Sequence, residues 1–220
     1  MVESPSADIP ESYFEHKAEF AEPMFETWTV PNPLAQSLYL ALQRWKITLG
    51  DISWNKDPNN YGDFNLAFNV RSLNAVIRVG LDWATFIAVN PDWPQAPALV
   101  ELFEAAMNNI RQTAGAEIAR QEMWLAMHVT PGPNKFGDAM SRLVKTDLLG
   151  AANMYGVSVY REDSSLVIDK SLRYEGGVFV RLSRKFPAVT SFSEIATTLY
   201  EDELNALNFL GLRELIEGQA

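Results

Sequence analysis

The chain has no cysteine, and that absence removes disulfides, thiolate nucleophiles and thiolate-bound zinc or iron–sulfur clusters together. Histidine is nearly missing as well, since His16 and His128 are the only two. His128 stands in a predicted strand without a metal-ligand neighbour at a spacing that would put two ligands on one face, so no metal is expected. Neither a Gly-x-Gly-x-x-Gly nor a Walker pattern is present to cradle phosphate, and no cofactor is expected. Positive charge is scarce: 18 Lys+Arg against 28 Asp+Glu leave a net charge of −10. A nucleic-acid backbone is repelled at long range by such a chain, and nucleic acid is disfavoured as a partner. Long apolar runs are absent too, for no window approaches the roughly 18 residues that a membrane span needs. Met1 to Phe20 carries acids and prolines instead of a basic segment followed by an apolar one, so no signal peptide is expected. Together with the lack of cysteine, this makes a cytoplasmic location the expectation.

What is present is an ordinary globular composition, 47% hydrophobic and 21% charged over 220 residues, enough to bury a sizeable core. Val2 to Lys17 mixes Ser, Pro and Glu with few large apolar groups, and residues 1–21 read as a flexible N-terminal arm. From Glu22 the alternation of Met24, Glu26, Trp28 and Val30 predicts a strand, stopped by Pro31-Asn32-Pro33. Leu34, Leu38, Leu42 and Trp45 then recur at helical spacing. Four strands follow, Ile47 to Trp54, Phe64 to Val70, Ala75 to Val79 and Trp83 to Val89, with turn residues between them. Leu99, Leu102, Phe103, Ala106, Met107 and Ile110 mark an amphipathic helix.

The same order begins again near Arg120. Met123 to Pro133 repeats the apolar alternation and paired prolines of Met24 to Pro33, and Phe136, Met140 and Leu143 stand where the first helix stood. Strands are predicted at Asn153 to Arg161, Ser164 to Ser171 and Val178 to Phe186, and a last helix carries Phe192, Ile195, Leu199, Leu204 and Leu207. This order predicts an internal duplication, with repeats at 22–116 and 117–216 and a short tail at 217–220. Over residues 22 to 212 the element order resembles the duplicated saddle of the TATA-box-binding protein, although no sequence motif of that family is recognised and the second half lacks one strand or merges two. The resemblance implies an α+β fold, a large antiparallel sheet with its helices on one face; it implies nothing about activity.

In such a sheet, Trp83, Ile87 and Val89 fall with the helix-facing residues, among others. The opposite face collects Phe25, Thr27, Arg78, Phe86, Trp124, His128, Tyr160, Phe179 and Arg181, aromatic groups interleaved with hydrogen-bonding and basic ones. A bare sheet face of this kind is the candidate binding surface. Glu162-Asp163 and Glu201-Asp202-Glu203 read as solvated charge, and Arg71, Arg78, Arg173, Arg181, Arg184 and Lys185 as strand-protecting cations. The expected function is non-enzymatic protein binding or assembly, with a protein partner or a second copy docked on that face. An enzyme or small-ligand carrier with a cavity between sheet and helices is the alternative, and nucleic-acid binding the weakest reading.

Overall fold

A computed structural model describes residues 6–55, 64–91, 93–131, 156–210 and 213–214. In chain order these form strand β1 (Ser6–Phe20), helices α1 (Phe25–Thr29) and α2 (Asn32–Leu42), and strands β2 (Ile52–Asn55), β3 (Asn65–Val70), β4 (Ala75–Gly80) and β5 (Trp83–Val89). Helix α3 (Ala96–Ala114), strands β6 (Ile118–Pro131), β7 (Val157–Tyr160), β8 (Ser164–Lys170) and β9 (Val178–Phe186), helix α4 (Phe192–Phe209) and strand β10 (Arg213–Glu214) complete the chain. The protein is α+β: nine strands in the order β2-β3-β4-β5-β1-β6-β9-β8-β7 make an antiparallel sheet, and β10 lies parallel to β1. Among the described residues no helix is long and apolar enough to cross a membrane.

The chain divides into two compact units. The first comprises Tyr13–Met123 and Lys185–Ala196. One face of its sheet is fully buried, built by cross-strand partners. Phe68 pairs with Ile77, Ile77 with Phe86 and Phe86 with His16, and all four are fully buried. Phe103 of α3 and Phe192 of α4 close over this row, their rings 5.2 and 5.1 Å from that of Phe86 and 5.8 Å from each other. Ala84 and Ala88 flank Phe86 on the same face with no exposure, and their small side chains leave room for these rings. Helix α2 packs on α3, where Ser37 accepts a hydrogen bond from Asn109 (2.7 Å). The indole of Trp28 in α1 donates to the Gly80 carbonyl (3.2 Å) and meets Trp54 edge-on at 5.9 Å. Gly80 is required there, because a β-carbon would stand 2.3 Å from the Trp83 ring.

The second unit comprises Met1–Ser12, Trp124–Arg184 and Thr197–Ala220. Along β6 the odd positions Leu125, Met127 and Val129 are buried while the even ones stay half-exposed. Val178, Val180 and Leu182 of β9 continue the buried side, with Ile168 of β8 opposite Val180. Arg184 lies on that side and forms a two-pronged pair with Asp202 of α4 (2.7 and 2.8 Å). Asp202 therefore anchors the helix instead of sitting in solvated charge, and its neighbour Glu203 is buried.

Four expectations need correction. The N-terminal segment is not a flexible arm from residue 6 onward: it is β1, a strand of 15 residues paired with β5. Its apolar content was too low by count, but Phe14, His16, Ala18 and Phe20 alternate onto the buried face, and strand pairing satisfies the backbone. Residues 24–30 are not a strand. Met24 and Trp28, four apart, are the buried pair, and over so short a run helical and strand periodicities coincide. The match between Met24–Pro33 and Met123–Pro133 consequently fails, since one run is helical and the other is strand; it carries no duplication. Finally, β5 has the opposite phase. Phe86 faces the helices, while Trp83, Ile87 and Val89 lie on the other face. The sequence Trp-Ala-Thr-Phe-Ile-Ala-Val offers apolar groups in both phases, and pairing with β4 across the short turn at Leu81-Asp82 selects one. The predicted helix at Phe136 to Leu143, residues 153–155 of the seventh predicted strand and the tail lie outside the described residues.

Phe86→Ala is expected to lower the unfolding free energy in urea by about 3–5 kcal/mol. Phe25→Ala, at a side chain 59% exposed, is expected to stay within about 0.5 kcal/mol of wild type.

Candidate functional site

Of the nine residues assigned to the sheet face, five come together in the second unit: Trp124 and His128 on β6, Tyr160 on β7, Phe179 and Arg181 on β9. Strand alternation explains the grouping. Trp124 and His128 occupy the even side of β6, opposite the buried Leu125 and Met127, and Phe179 and Arg181 the odd side of β9, opposite Val178 and Val180. The rings of His128 and Phe179 are 5.2 Å apart, which fixes both on one face. Register extends that face outward: Arg181 is opposite Val167, which is opposite Ser158, and Ser183 is opposite Ser165, which is opposite Tyr160. Ser165 and Ser183 share a hydrogen bond of 2.8 Å.

Two residues that the sequence reading did not nominate complete the centre. Tyr174 packs its ring 5.5 Å from His128, and Ser171 places its hydroxyl oxygen 2.9 Å from His128 Nδ1. Both come from the β8–β9 loop, between Lys170 and Val178. Gly176 does adopt the left-handed conformation (φ 71°), but the serine organises the turn. Its oxygen accepts the backbone N–H groups of Arg173 (3.2 Å) and Tyr174 (3.0 Å). With both lone pairs engaged, the hydroxyl proton is the one donated to His128 Nδ1, and the imidazole carries its own proton on Nε2. A small hydroxyl residue closing a strand and followed by a Gly pair was the available signal.

Ser171 is 3% exposed, its hydroxyl is committed to the turn and to His128, and its histidine contact is through Nδ1. Among the described residues no group of three or more His, Asp or Glu side chains could hold a metal ion. Two half-exposed aromatic groups, Tyr174 and Phe179, flank the histidine, and the half-exposed Trp124, four residues along β6, shares their face with the exposed Arg181, Tyr160, Ser158 and Asp169. Among the described residues Arg181 makes no ion pair.

The other nominated residues lie elsewhere. Phe25 and Thr27 are on α1, Phe86 is in the core of the first unit, and Arg78 is exposed on β4 of that unit. The open side of β1 there is a charge ladder. Tyr13 donates to Glu15 (2.5 Å), Lys17 pairs with Glu19 (2.9 Å) and Glu19 accepts from Arg120 (2.5 Å). The Arg120 and Lys17 contacts hold the Glu19 carboxyl down to about 2. Several other cations of the chain are also engaged: Arg71 with Asp51, Arg173 with Glu11 and Arg184 with Asp202.

Ser171→Ala is expected to cost about 1–3 kcal/mol in urea unfolding, because two backbone N–H groups and His128 Nδ1 lose their partner at once. A loss of under 0.5 kcal/mol would show that the hydroxyl does not hold the turn.

No protein-family model matches this chain, and no curated protein matches it.

Proposed function

We propose that the protein is a non-enzymatic binding or assembly module that docks another protein surface on the open face of the second unit. The observation that supports this reading is the cluster of His128, Tyr174 and Phe179, with Trp124 farther along β6 on the same face. Rigid aromatic groups with polar edges deliver contact area at low cost in side-chain entropy, and they dominate the energetics of protein interfaces. Arg181, exposed and without an ion pair among the described residues, supplies a directional charge at the margin of the cluster. The ion pairs of Arg71, Arg173 and Arg184 also favour this reading over phosphate binding, since cations already neutralised release few counterions. A protein with a net charge of −10 fits a cytoplasmic assembly role.

The test uses the full chain with Phe179→Asp and Tyr160→Asp. Each variant is expected to keep the wild-type circular dichroism spectrum. Each is also expected to weaken association by about thirty-fold or more, the size of a central interface residue. Analytical ultracentrifugation reads self-association, and quantitative co-purification from the native cell reads a heterologous partner. Variants that associate like wild type in both assays would remove the proposed face, and variants that unfold would show that it is core.

A further inference from the structure

A second histidine occupies a place that composition does not prepare for. His16 is fully buried in the first unit, at the end of the row Phe68, Ile77, Phe86. Its Nε2 is 3.0 Å from Gln121 Oε1. The amide orientation is fixed from the far side, because Gln121 Nε2 faces the carbonyl oxygens of Pro187 (3.0 Å), Ala188 (3.2 Å) and Thr190 (2.9 Å). Only an N–H can face three carbonyls, so Oε1 faces the histidine and His16 Nε2 donates. The imidazole is neutral, with its remaining lone pair on Nδ1, a buried atom that has no hydrogen-bond partner.

The environment opposes a positive charge on this ring. Phe192 of α4 meets it edge-on at 4.6 Å and Phe86 of β5 at 5.8 Å. Helix α3 contributes Phe103, packed on both phenyl rings, and β6 contributes Gln121. Glu15 and Lys17, next to His16 on β1, lie on the opposite face of the strand, as do Arg120 and Glu122 beside Gln121 on β6. Glu194 of α4 accepts hydrogen bonds from the backbone N–H and hydroxyl of Ser191 (2.8 and 2.9 Å). Among the described residues no carboxylate faces the imidazole.

We propose that His16 and Gln121 form an acid-sensitive latch, in which protonation of His16 Nδ1 releases residues 187–196 from the sheet. A cation there carries a buried donor without an acceptor, and water reaches it at least cost by lifting the cover. β1 is fixed by its ladder to β5 over Tyr13 to Glu19. The cover is a short surface segment with Val189 92% exposed, closed on itself by the Ser191–Glu194 cap and held down by Gln121, Phe192 and the buried Ile195. Such a segment opens below the free energy of global unfolding.

Burial pushes the imidazole from its ordinary 6.5 down to about 4. The opened state binds a proton near 6.5 and the closed state only near 4, so between these values the open form binds more protons and gains as pH falls. The closing free energy is complete above pH 6.5 and is lost as pH drops through 4. For those two values the opening constant rises about fifty-fold from pH 7 to pH 4.5.

Amide hydrogen exchange of the full chain, corrected for intrinsic rates, tests the latch. Wild-type amides in 190–196 are expected to lose about fifty-fold in protection between pH 7 and pH 4.5, while Phe14, Ile77 and Phe86 change several-fold less. His16→Phe removes the titrating group; its lower overall protection, from the unpaired Gln121 Oε1, is expected to be flat with pH. The same acid loss in His16→Phe, or equal losses across the first unit, would overturn the proposal. The wild-type ring offers a readout independent of any variant. By nitrogen-resolved NMR it is expected to carry its proton on Nε2 at pH 7 and to gain the second together with the loss of protection. A ring that gains that proton while 190–196 stays protected overturns the latch.

Discussion

The packing of Phe103 and Phe192 over Phe86 decides which side of the first unit's sheet is core. Both rings stand within 5.2 Å of Phe86, so α3 and the first turn of α4 converge on one strand position. Burial of one such aromatic side chain contributes on the order of 2–3 kcal/mol, and a mutually packed set adds ring-edge contacts to that. The opposite phase of β5 would place Trp83, Ile87 and Val89 there instead, and these are too bulky to accept two helices at close range. Ala84 and Ala88 explain the choice: a large residue between two small ones makes a socket. Once that phase is set, pairing transmits it to Ile77 and Phe68 on one side and to His16 on the other.

Much of the fold was legible because several segments obey one period over enough length. Helices α3 and α4, and strands β3, β4, β8 and β9, repeat their apolar residues for six positions or more, and turn residues such as Asn74 and Gly176 bound them. Legibility failed where a pattern was short or two-sided. In Phe25–Thr29 one helical turn and one strand segment bury the same pair, Met24 and Trp28. In β5 both faces are apolar, so the pattern could locate a strand without orienting it. In β1 the decisive inward residue is a histidine, which no hydrophobic count includes, and the strand is held by backbone pairing that leaves no trace in composition.

The candidate site shows the same division. Trp124, His128, Phe179 and Arg181 could be placed on one face because β6 and β9 alternate cleanly, buried on one side and half-exposed on the other. Phe25 and Thr27 failed with the strand that carried them, and Phe86 failed with the phase of β5. Ser171 and Tyr174 were missed because a loop has no period. Their positions follow from hydrogen bonds, two backbone N–H groups on one hydroxyl, that only the folded turn brings together.

The two histidines share a protonation pattern and differ in everything that gives it meaning. Each carries its proton on Nε2, but His128 has Nδ1 matched by the Ser171 hydroxyl on a half-exposed face, whereas His16 has Nδ1 bare inside an aromatic enclosure. A phenylalanine would fill the position of His16 at least as well by volume. It would not donate to Gln121, and Gln121 would then present an unpaired carbonyl oxygen to the core while its amide still gripped residues 187–190. The imidazole thus orients the side chain that fastens α4's leading segment, and that fastening is also what the aromatic row needs to keep Phe192 over Phe86. A bare buried nitrogen is tolerated here because it belongs to the one group that satisfies its neighbour and still fits among the rings.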